Sequence, residues 1–272
     1  MENDEIRKMV RKGYAERAKR AGSCCSQPSC CSGGSARESG RTIGYEDKEM
    51  DSVPGESNLG LGCGNPTALA SLERGETVID LGCGAGFDCF LAANKVGEKG
   101  RVIGVDMTPE MLERAKANAR EGGYKNVEFR LGEIENLPVA NGIADAIISN
   151  CVINLSPEKE KVFNEAYRAL KPGGRIMLSD MVLVRKLPEK VRSSVEAYVG
   201  CIAGASLKDD YLAMIRGAGF RDVRIMDEKG TGSFEDDPMA EKLAEESGFS
   251  SDELKELGRS VRSISVYGIK PF

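Results

Sequence analysis

The chain predicts an α/β fold, doubly wound around a mostly parallel sheet of seven strands. From Glu76 onwards, short apolar segments alternate with amphipathic ones, which is the pattern of βαβ units in a sheet covered on both faces. The first apolar segment runs directly into a glycine-rich turn, and the second ends in an acidic residue. At 272 residues the chain is long enough to bury a core of this size.

The predicted elements follow from local patterns along the chain. Segments that are short and apolar, bounded by turn residues, predict strands at 78–81, 101–106, 127–130, 144–149, 175–180, 221–225 and 263–269. Apolar residues at helical spacing predict helices at 3–20, 88–96, 158–170, 188–204 and 208–218. A further helix begins at Pro109, with Thr108 as its N-cap. The segment Lys171-Pro172-Gly173-Gly174 ends the helix 158–170.

The predicted organisation has three parts. Residues 1–60 hold the N-terminal helix and a mobile segment, because residues 21–40 are rich in Gly, Ser and Cys and cannot bury a core. Residues 61–230 form the ligand-binding core, with an insert near 188–206. Residues 231–272 form a C-terminal extension that includes the last strand.

Composition excludes several classes of function. The net charge is −5 with mixed signs, so no basic face predicts nucleic-acid binding. The charged N-terminus lacks a signal peptide, and no apolar run reaches the ~18 residues of a membrane span. We therefore expect a cytoplasmic protein with no membrane partner, in which the nine cysteines stay reduced and serve chemistry rather than crosslinking. Histidine is absent, which excludes His-based metal sites and His general bases.

The glycine-rich turn Gly82-Cys83-Gly84-Ala85-Gly86 predicts a cofactor site. It follows the strand 78–81 and opens a helix, where glycines allow a tight turn and close approach of a ligand to a helix N-terminus. A dinucleotide fingerprint would need glycine at position 87, which is Phe87. Asp106 ends the next strand about 20 residues later, where an acid can bind ribose hydroxyls.

This order of strand, G-x-G-x-G loop, helix, strand and acid resembles class I S-adenosylmethionine-dependent methyltransferases, as does the segment 170–174 before a strand. The resemblance implies S-adenosylmethionine as cofactor, no required metal ion, and a fold of the class I methyltransferase type. NAD, another nucleotide or loss of cofactor binding are the alternatives. The implied cofactor-binding residues are Asp80, Gly82, Cys83, Gly84 and Gly86 around the loop, Asp106 at the ribose, Met107, Glu133 and Ile134 at the adenine, and Asn150.

Three single cysteines stand at positions that suit a ligand site. Cys63 lies in a glycine-rich loop before a predicted helix start, whose partial positive charge is expected to stabilise its thiolate. Cys151 follows the strand 144–149, at the sheet edge where ligands bind. Cys201 lies in a helical segment of small residues. A small buried hydrophobe is the alternative for each, and it is the preferred interpretation for Cys89. Cys83 is interpreted mainly as a small residue of the loop.

Three segments that contain these cysteines, 58–66, 149–155 and 198–205, resemble arsenite methyltransferases, within a similarity that covers roughly residues 40–230. The resemblance implies that Cys63, Cys151 and Cys201 bind arsenic and are catalytic, and that the insert near 188–206 is part of the arsenic site. A fourth family cysteine lies nearer the N-terminus. Cys24, Cys25, Cys30 and Cys31 are all candidates for it, and Cys31 is put forward; a zinc site is the alternative for these pairs.

The implied reaction needs no histidine. Three thiolates can hold trivalent arsenic with its lone pair free to attack the sulfonium methyl, so no general base is required. Arsenite and methylarsenite are the expected substrates, and thioredoxin or glutathione the expected reductant of cysteines oxidised during turnover. The alternatives are a methyltransferase acting on another small molecule, such as a quinone precursor, or a non-catalytic thiol-based sensor or scavenger of metalloids.

Overall fold

One sheet of seven strands forms the centre of the described structure. The computed structural model describes residues 2–20, 36–187, 201–230 and 250–272. The strands are β1 (Thr77–Leu81), β2 (Arg101–Asp106), β3 (Val127–Leu131), β4 (Ala144–Asn150), β5 (Leu170–Leu183), β6 (Arg221–Gly230) and β7 (Val261–Ile269). Their order is β3-β2-β1-β4-β5-β7-β6.

Strands β1 to β5 are parallel, whereas β7 runs antiparallel to its neighbours β5 and β6. The predicted seven-stranded, mostly parallel sheet is therefore confirmed. Because β1 pairs with both β2 and β4, the carboxyl ends of these three strands lie side by side. The segments that follow them must meet at one edge of the sheet.

The helices cover both faces of the sheet. They are α1 (Asn3–Arg20), α2 (Ala36–Ile43), α3 (Asp47–Asp51), α4 (Pro66–Leu69), α5 (Phe87–Val96), α6 (Pro109–Glu121), α7 (Lys159–Ala169), α8 (Lys208–Gly217) and α9 (Ser251–Ser260). Short 3₁₀ turns lie at Gly55–Ser57 and Ile153–Leu155. No helix in the described ranges is both long and apolar enough to cross a membrane.

Successive side chains of β1 point alternately to the two faces of the sheet and pack against different helices. Val78 packs with Cys89 and Leu112 in the layer of α5 and α6. Ile79 packs on the opposite face with Phe163 and Tyr211, in the layer of α7 and α8. A buried parallel strand thus needs apolar side chains on both faces, which explains why the predicted strands are continuous apolar runs.

Three local predictions are wrong. Residues 36–40, expected in a mobile loop, begin the helix α2, because Gly40 packs closely against Met50 of α3. Residues 201–204, expected in a helix, form a turn that begins with Cys201 in a left-handed conformation at φ +66°. Strand β5 begins at Leu170 rather than 175, because Leu170 already pairs with Ala144 before a register shift. The rest of the predicted segments 21–40 and 188–204 lies outside the described residues.

The last strand is expected to be integral to the core, although it was predicted as part of an extension. Val266 of β7 is fully buried between β5 and β6, whereas Val184, just beyond β5, is 45% exposed. Val266→Ala should lower the free energy of unfolding by about 1.5–3 kcal/mol, and the matched change Val184→Ala by less than about 0.5 kcal/mol. Urea unfolding measures both, and equal effects would mean that β7 contributes little to the core.

Candidate active site

A cavity opens at the carboxyl ends of β1, β2 and β4. Its empty volume is about 1080 Å³, part of it open to solvent. The turn after β1 forms its floor, and Asp106 and Asn150, the last residues of β2 and β4, stand at its sides. Helix α1 and the segment 57–62 close the top. The site therefore lies at the sheet edge where the topology brings three strand ends together.

The glycine-rich turn after β1 has a backbone that other residues would strain. Gly82, Gly84 and Gly86 all have positive φ angles. A Cβ at Gly82 would stand 2.3 Å from Cγ2 of Val152, so a side chain there would also collide with the segment after β4. The amides of Gly82 and Cys83 donate to the Val105 carbonyl at 2.8 and 3.0 Å, which fixes the turn against β2.

Buried carboxyl groups line the cavity. Asp106 accepts hydrogen bonds from the backbone amides of Gly84 at 2.9 Å and Thr108 at 2.8 Å. Burial raises the pKa of Asp80 and of Asp106, and it raises the pKa of Asp88 to about 6. Such a set favours a ligand that brings positive charge and hydroxyl donors.

The side-chain amide of Asn150 connects the cofactor loop to the Cys63 loop. Its Oδ1 accepts from the Cys63 amide at 2.9 Å, and its Nδ2 lies 2.8 Å from the Gly64 carbonyl and 3.1 Å from Oδ2 of Asp88. Asp88 also accepts from the Tyr45 hydroxyl at 2.6 Å. Asn150 therefore sets the distance between the two parts of the cavity.

The structure brings most of the predicted cofactor residues to the cavity. Those that line it are Asp80, Gly82, Cys83, Gly84, Asp106, Met107, Ile134 and Asn150. Gly86 instead caps α5 in a left-handed conformation, with Phe90 and Phe129 against it. The carboxylate of Glu133 forms ion pairs with Arg7 and Arg11 of α1.

Several cavity residues were missed by sequence reasoning. Asp88 lies in the first turn of α5, two residues after the glycine turn, and this position could have indicated that it lines the cavity. Tyr45 comes from a polar segment without a pattern, and nothing in the sequence indicated that it would reach the cavity. Thr108 occupies the predicted N-cap position of α6, but its side chain makes no capping hydrogen bond.

Three cysteines from distant parts of the chain meet beside the cavity, and of these only Cys151 lines it. Cys63, Cys151 and Cys201 pack in one apolar cluster with Val10 and Leu155. The Cys201 thiol donates to the Cys151 carbonyl at 2.9 Å, and the Cys63 thiol donates to the Ser179 carbonyl at 3.4 Å. Both Cys151 (φ +60°) and Cys201 (φ +66°) have left-handed backbones, a conformation that costs free energy and is concentrated at functional sites.

A fourth group, Asp180 of β5, stands beside these thiols. The sulfur atoms of Cys63 and Cys151 and a carboxylate oxygen of Asp180 all lie within 4.8 Å of one another. Asp180 accepts hydrogen bonds from Asn154 at 2.9 Å and from the Tyr211 hydroxyl at 3.1 Å. Burial raises the pKa of Asp180 to about 7. Sequence reasoning missed this residue because it lies within an apolar strand with no motif around it.

The thiols are protonated at neutral pH. Burial raises the pKa of Cys63, and the neighbouring Cys151 thiol, followed by burial, raises the pKa of Cys201. The Cys201 thiol lowers the pKa of Cys151, but the neighbouring Cys63 thiol and burial outweigh this effect, so the pKa of Cys151 is also raised. The expected stabilisation of the Cys63 thiolate by a helix N-terminus is therefore wrong, because α4 has only four residues and burial dominates.

Helix α1 forms a wall over the thiols. Val10 is fully buried against them, and Tyr14 packs against the same cluster. Arg7 holds the helix in place through ion pairs with Glu135 and Glu158. The helix predicted from spacing alone thus belongs to the site.

The remaining cysteines lie elsewhere. Cys83 and Cys89 are buried and pack in a separate apolar layer with Ala92. Cys31 and the other N-terminal candidates, Cys24, Cys25 and Cys30, lie outside the described residues.

Comparisons with known proteins agree with this geometry. Residues 72–219 match the family model of the methyltransferase domain. The crystal structure of an arsenic(III) S-adenosylmethionine methyltransferase from Chlamydomonas reinhardtii superposes with a TM-score of 0.64 at 34% identity, covering 86% of this chain and 73% of that one. The chain belongs to the arsenite methyltransferase family.

Curated relatives in the arsenite methyltransferase family are longer than this chain. The arsenite methyltransferase of Halobacterium salinarum is 48% identical over 82% of this chain and 59% of its own length. That of Aquipseudomonas alcaligenes is 43% identical over 68% of this chain and 54% of its own length. The chain thus spans little more than half of these two relatives.

The cavity fits the cofactor of the family, S-adenosylmethionine. The buried carboxyl groups suit an ammonium group and ribose hydroxyls, and Met107 and Ile134 offer apolar surface at the other end. The left-handed glycine turn leaves the backbone of the loop accessible to a ligand.

Asp88 gives a test of the buried charge in the cavity. Its folded pKa of about 6 lies above its ordinary value of about 4. The folded state therefore binds more protons between these values, and the free energy of unfolding falls as pH rises through this window. Asp88→Asn should reduce this fall by about 1–3 kcal/mol.

Urea unfolding at the two ends of this window measures the difference. Asp209→Asn, on the exposed side of α8, is the matched control and should leave the fall unchanged. An equal fall in wild type and Asp88→Asn would show that Asp88 does not bind the proton.

Proposed function

We propose that this chain transfers methyl groups from S-adenosylmethionine to trivalent arsenic, held by the thiols of Cys63, Cys151 and Cys201. One observation carries the proposal: three cysteines about 50 or more residues apart in the sequence meet in a single cluster beside a cavity that fits the cofactor. Arsenic is soft and trigonal, so three convergent sulfur atoms suit it better than they suit a hard ion. The names of the relatives support the same substrate.

Around the cofactor, we assign Asp106 to the ribose, Met107 and Ile134 to the adenine, and Asp80 with the glycine turn to the methionyl part. Asp88 joins them, because its carboxyl group faces the same cavity. When bound, S-adenosylmethionine supplies an electrophilic methyl group on a sulfonium centre. Glu133 contributes through its ion pairs to α1, which closes the cavity over the bound molecules.

Loading of the substrate needs no separate base. Each thiol replaces one hydroxyl group of arsenous acid: an As–S bond forms, an As–O bond breaks, and the thiol proton leaves with the hydroxide as water. Protonated thiols are therefore the appropriate starting state for this exchange. Arsenic held by three thiols would keep its lone pair free toward the cavity, where the cofactor would supply the electrophilic methyl group.

The protein contributes alignment and exclusion of water. Asn150 fixes the Cys63 loop relative to the cofactor turn, and Val10 and Tyr14 cover the thiols. Holding the two reacting atoms in one orientation removes the entropic cost of their encounter.

The source of electrons, the second substrate and the cellular location are assigned from the chemistry of repeated arsenic methylation. Methylation oxidises arsenic formally, so two electrons must return for each methyl group. We assign them to cysteine pairs near the N-terminus, Cys31 among them, which thioredoxin or glutathione reduces again. Methylarsenite is then the second substrate. A cytoplasmic location follows from the need for reduced thiols.

Turnover with arsenite tests the proposal directly. The protein, S-adenosylmethionine, arsenite and a thiol reductant should yield methylated arsenic, separated by chromatography with elemental detection. Cys151→Ser should lose both tight arsenite binding and turnover, since it removes the central thiol. Val102→Thr, which places a hydroxyl group at a buried position of β2, is the control and should retain arsenite binding.

Either of two results would contradict it. Arsenite bound without methyl transfer would indicate a sensor or scavenger. Binding of S-adenosylmethionine without arsenite binding would indicate another acceptor.

The three thiols should differ in importance between the two methylation steps. After one methyl group is added, arsenic has one position fewer for sulfur, so two thiols suffice. Cys63→Ser should lose activity on arsenite but keep it on methylarsenite, whereas Cys151→Ser and Cys201→Ser should lose both. Parallel assays with the two substrates measure this, and equal loss of both activities in Cys63→Ser would refute the assignment of roles.

A further inference from the structure

A second pair of thiols lies at the cofactor turn, and neither sulfur atom takes part in the mechanism above. Cys83 belongs to the turn and Cys89 to the first part of α5, and their side chains pack side by side against the same glycine of β2. Both lie over Gly104 of β2, where a Cβ would stand 2.8 Å from each sulfur. This close approach explains why a glycine occupies the interior of a buried strand.

The pair is reached through the cofactor cavity. Cys83 lines the cavity and keeps 7% of its surface exposed, whereas Cys89 is fully buried behind it. The Cys89 thiol donates to Oδ2 of Asp80 at 3.2 Å, and Asp80 also faces the cavity. A small molecule that enters the empty cofactor site therefore meets Cys83 first.

The protonation state of Cys83 and Cys89 determines which class of reagent can react with them. Burial raises the pKa of Cys83 to about 11 and also raises that of Cys89. Oxidants and disulfides react with thiolates, which are scarce here. A trivalent arsenical that carries hydroxyl groups supplies its own proton acceptor, because each exchange releases water.

We propose that Cys83 and Cys89 form a second dithiol site, which binds trivalent arsenicals with two exchangeable hydroxyl groups and thereby blocks the cofactor site. With methylarsonous acid, two As–S bonds form, two As–O bonds break, and the two thiol protons leave as water without oxidation. The choice of an arsenical rests on the proposed function, whereas binding at this site requires no turnover.

Two consequences follow for the cofactor. Because the strand side of the two sulfurs is filled by Gly104, the bridging arsenic and its methyl group must lie toward the cavity. Asp80 also loses its hydrogen-bond donor, since the sulfur of Cys89 no longer carries a proton. The enzyme would thus be inhibited by an accumulating monomethylated product.

Native mass spectrometry of the full chain with methylarsonous acid tests the site. Cys83→Ser should bind one equivalent fewer than wild type, and saturation of wild type with S-adenosylmethionine should abolish the same equivalent. Cys63→Ser should keep this cofactor-sensitive equivalent, because its thiol belongs to the other cluster. Calorimetry should show that methylarsonous acid raises the Kd for S-adenosylmethionine about tenfold or more in wild type but not in Cys83→Ser.

Several outcomes would overturn the proposal. Cys83→Ser could bind as many equivalents of methylarsonous acid as wild type does. S-adenosylmethionine could fail to displace any bound equivalent. The mass of the protein could also fall by two hydrogen atoms, which would indicate a disulfide instead of an adduct. If Cys83→Ser does not fold, peptide mapping of the wild-type adduct decides, since the arsenic must bridge the peptides with Cys83 and Cys89. These binding measurements do not depend on turnover with arsenite. The two proposals can therefore be refuted independently of each other.

Discussion

The side-chain amide of Asn150 connects the two parts of the cavity. Strand β4 lies beside β1 in the sheet, so its last residue faces the glycine turn across the strand ends. From there the amide contacts the Cys63 loop on one side and Asp88 on the other. Ser263 of β7 supports the same loop by donating to the Cys63 carbonyl at 2.6 Å. The position of one thiol relative to the cofactor turn therefore depends on the order of strands in the sheet.

The site combines buried titratable groups with local backbone strain. Burial raises the pKa values of Asp80, Asp88 and Asp180, because a charge in a buried environment costs free energy. The left-handed backbones of Cys151 and Cys201 add local strain that the surrounding packing must maintain. Both features suit a site whose ligands arrive with exchangeable hydroxyl groups and positive charge.

Sequence reasoning predicted the parts of the molecule in which a local pattern has a single structural meaning. The strand 101–106 is observed with the predicted bounds, and the helix 3–20 is observed as α1. The conformation of the glycine turn was predictable, because the glycines of a G-x-G-x-G sequence after a strand can adopt the positive φ angles that a tight turn needs. Predictions failed where tertiary contacts decide, as at residues 36–40, whose helix depends on packing against α3.

The sequence by itself determined the class of fold, the cofactor turn and which cysteines stand at the ends of strands or in loops, because these depend on periodicity and neighbouring residues. Only the tertiary structure decided that α1 covers the thiols, that Asp180 and Asp88 join the site, and that Glu133 is engaged by Arg7 and Arg11. The physical reason is that these contacts join residues far apart in the chain, whose distances follow from strand order and core packing.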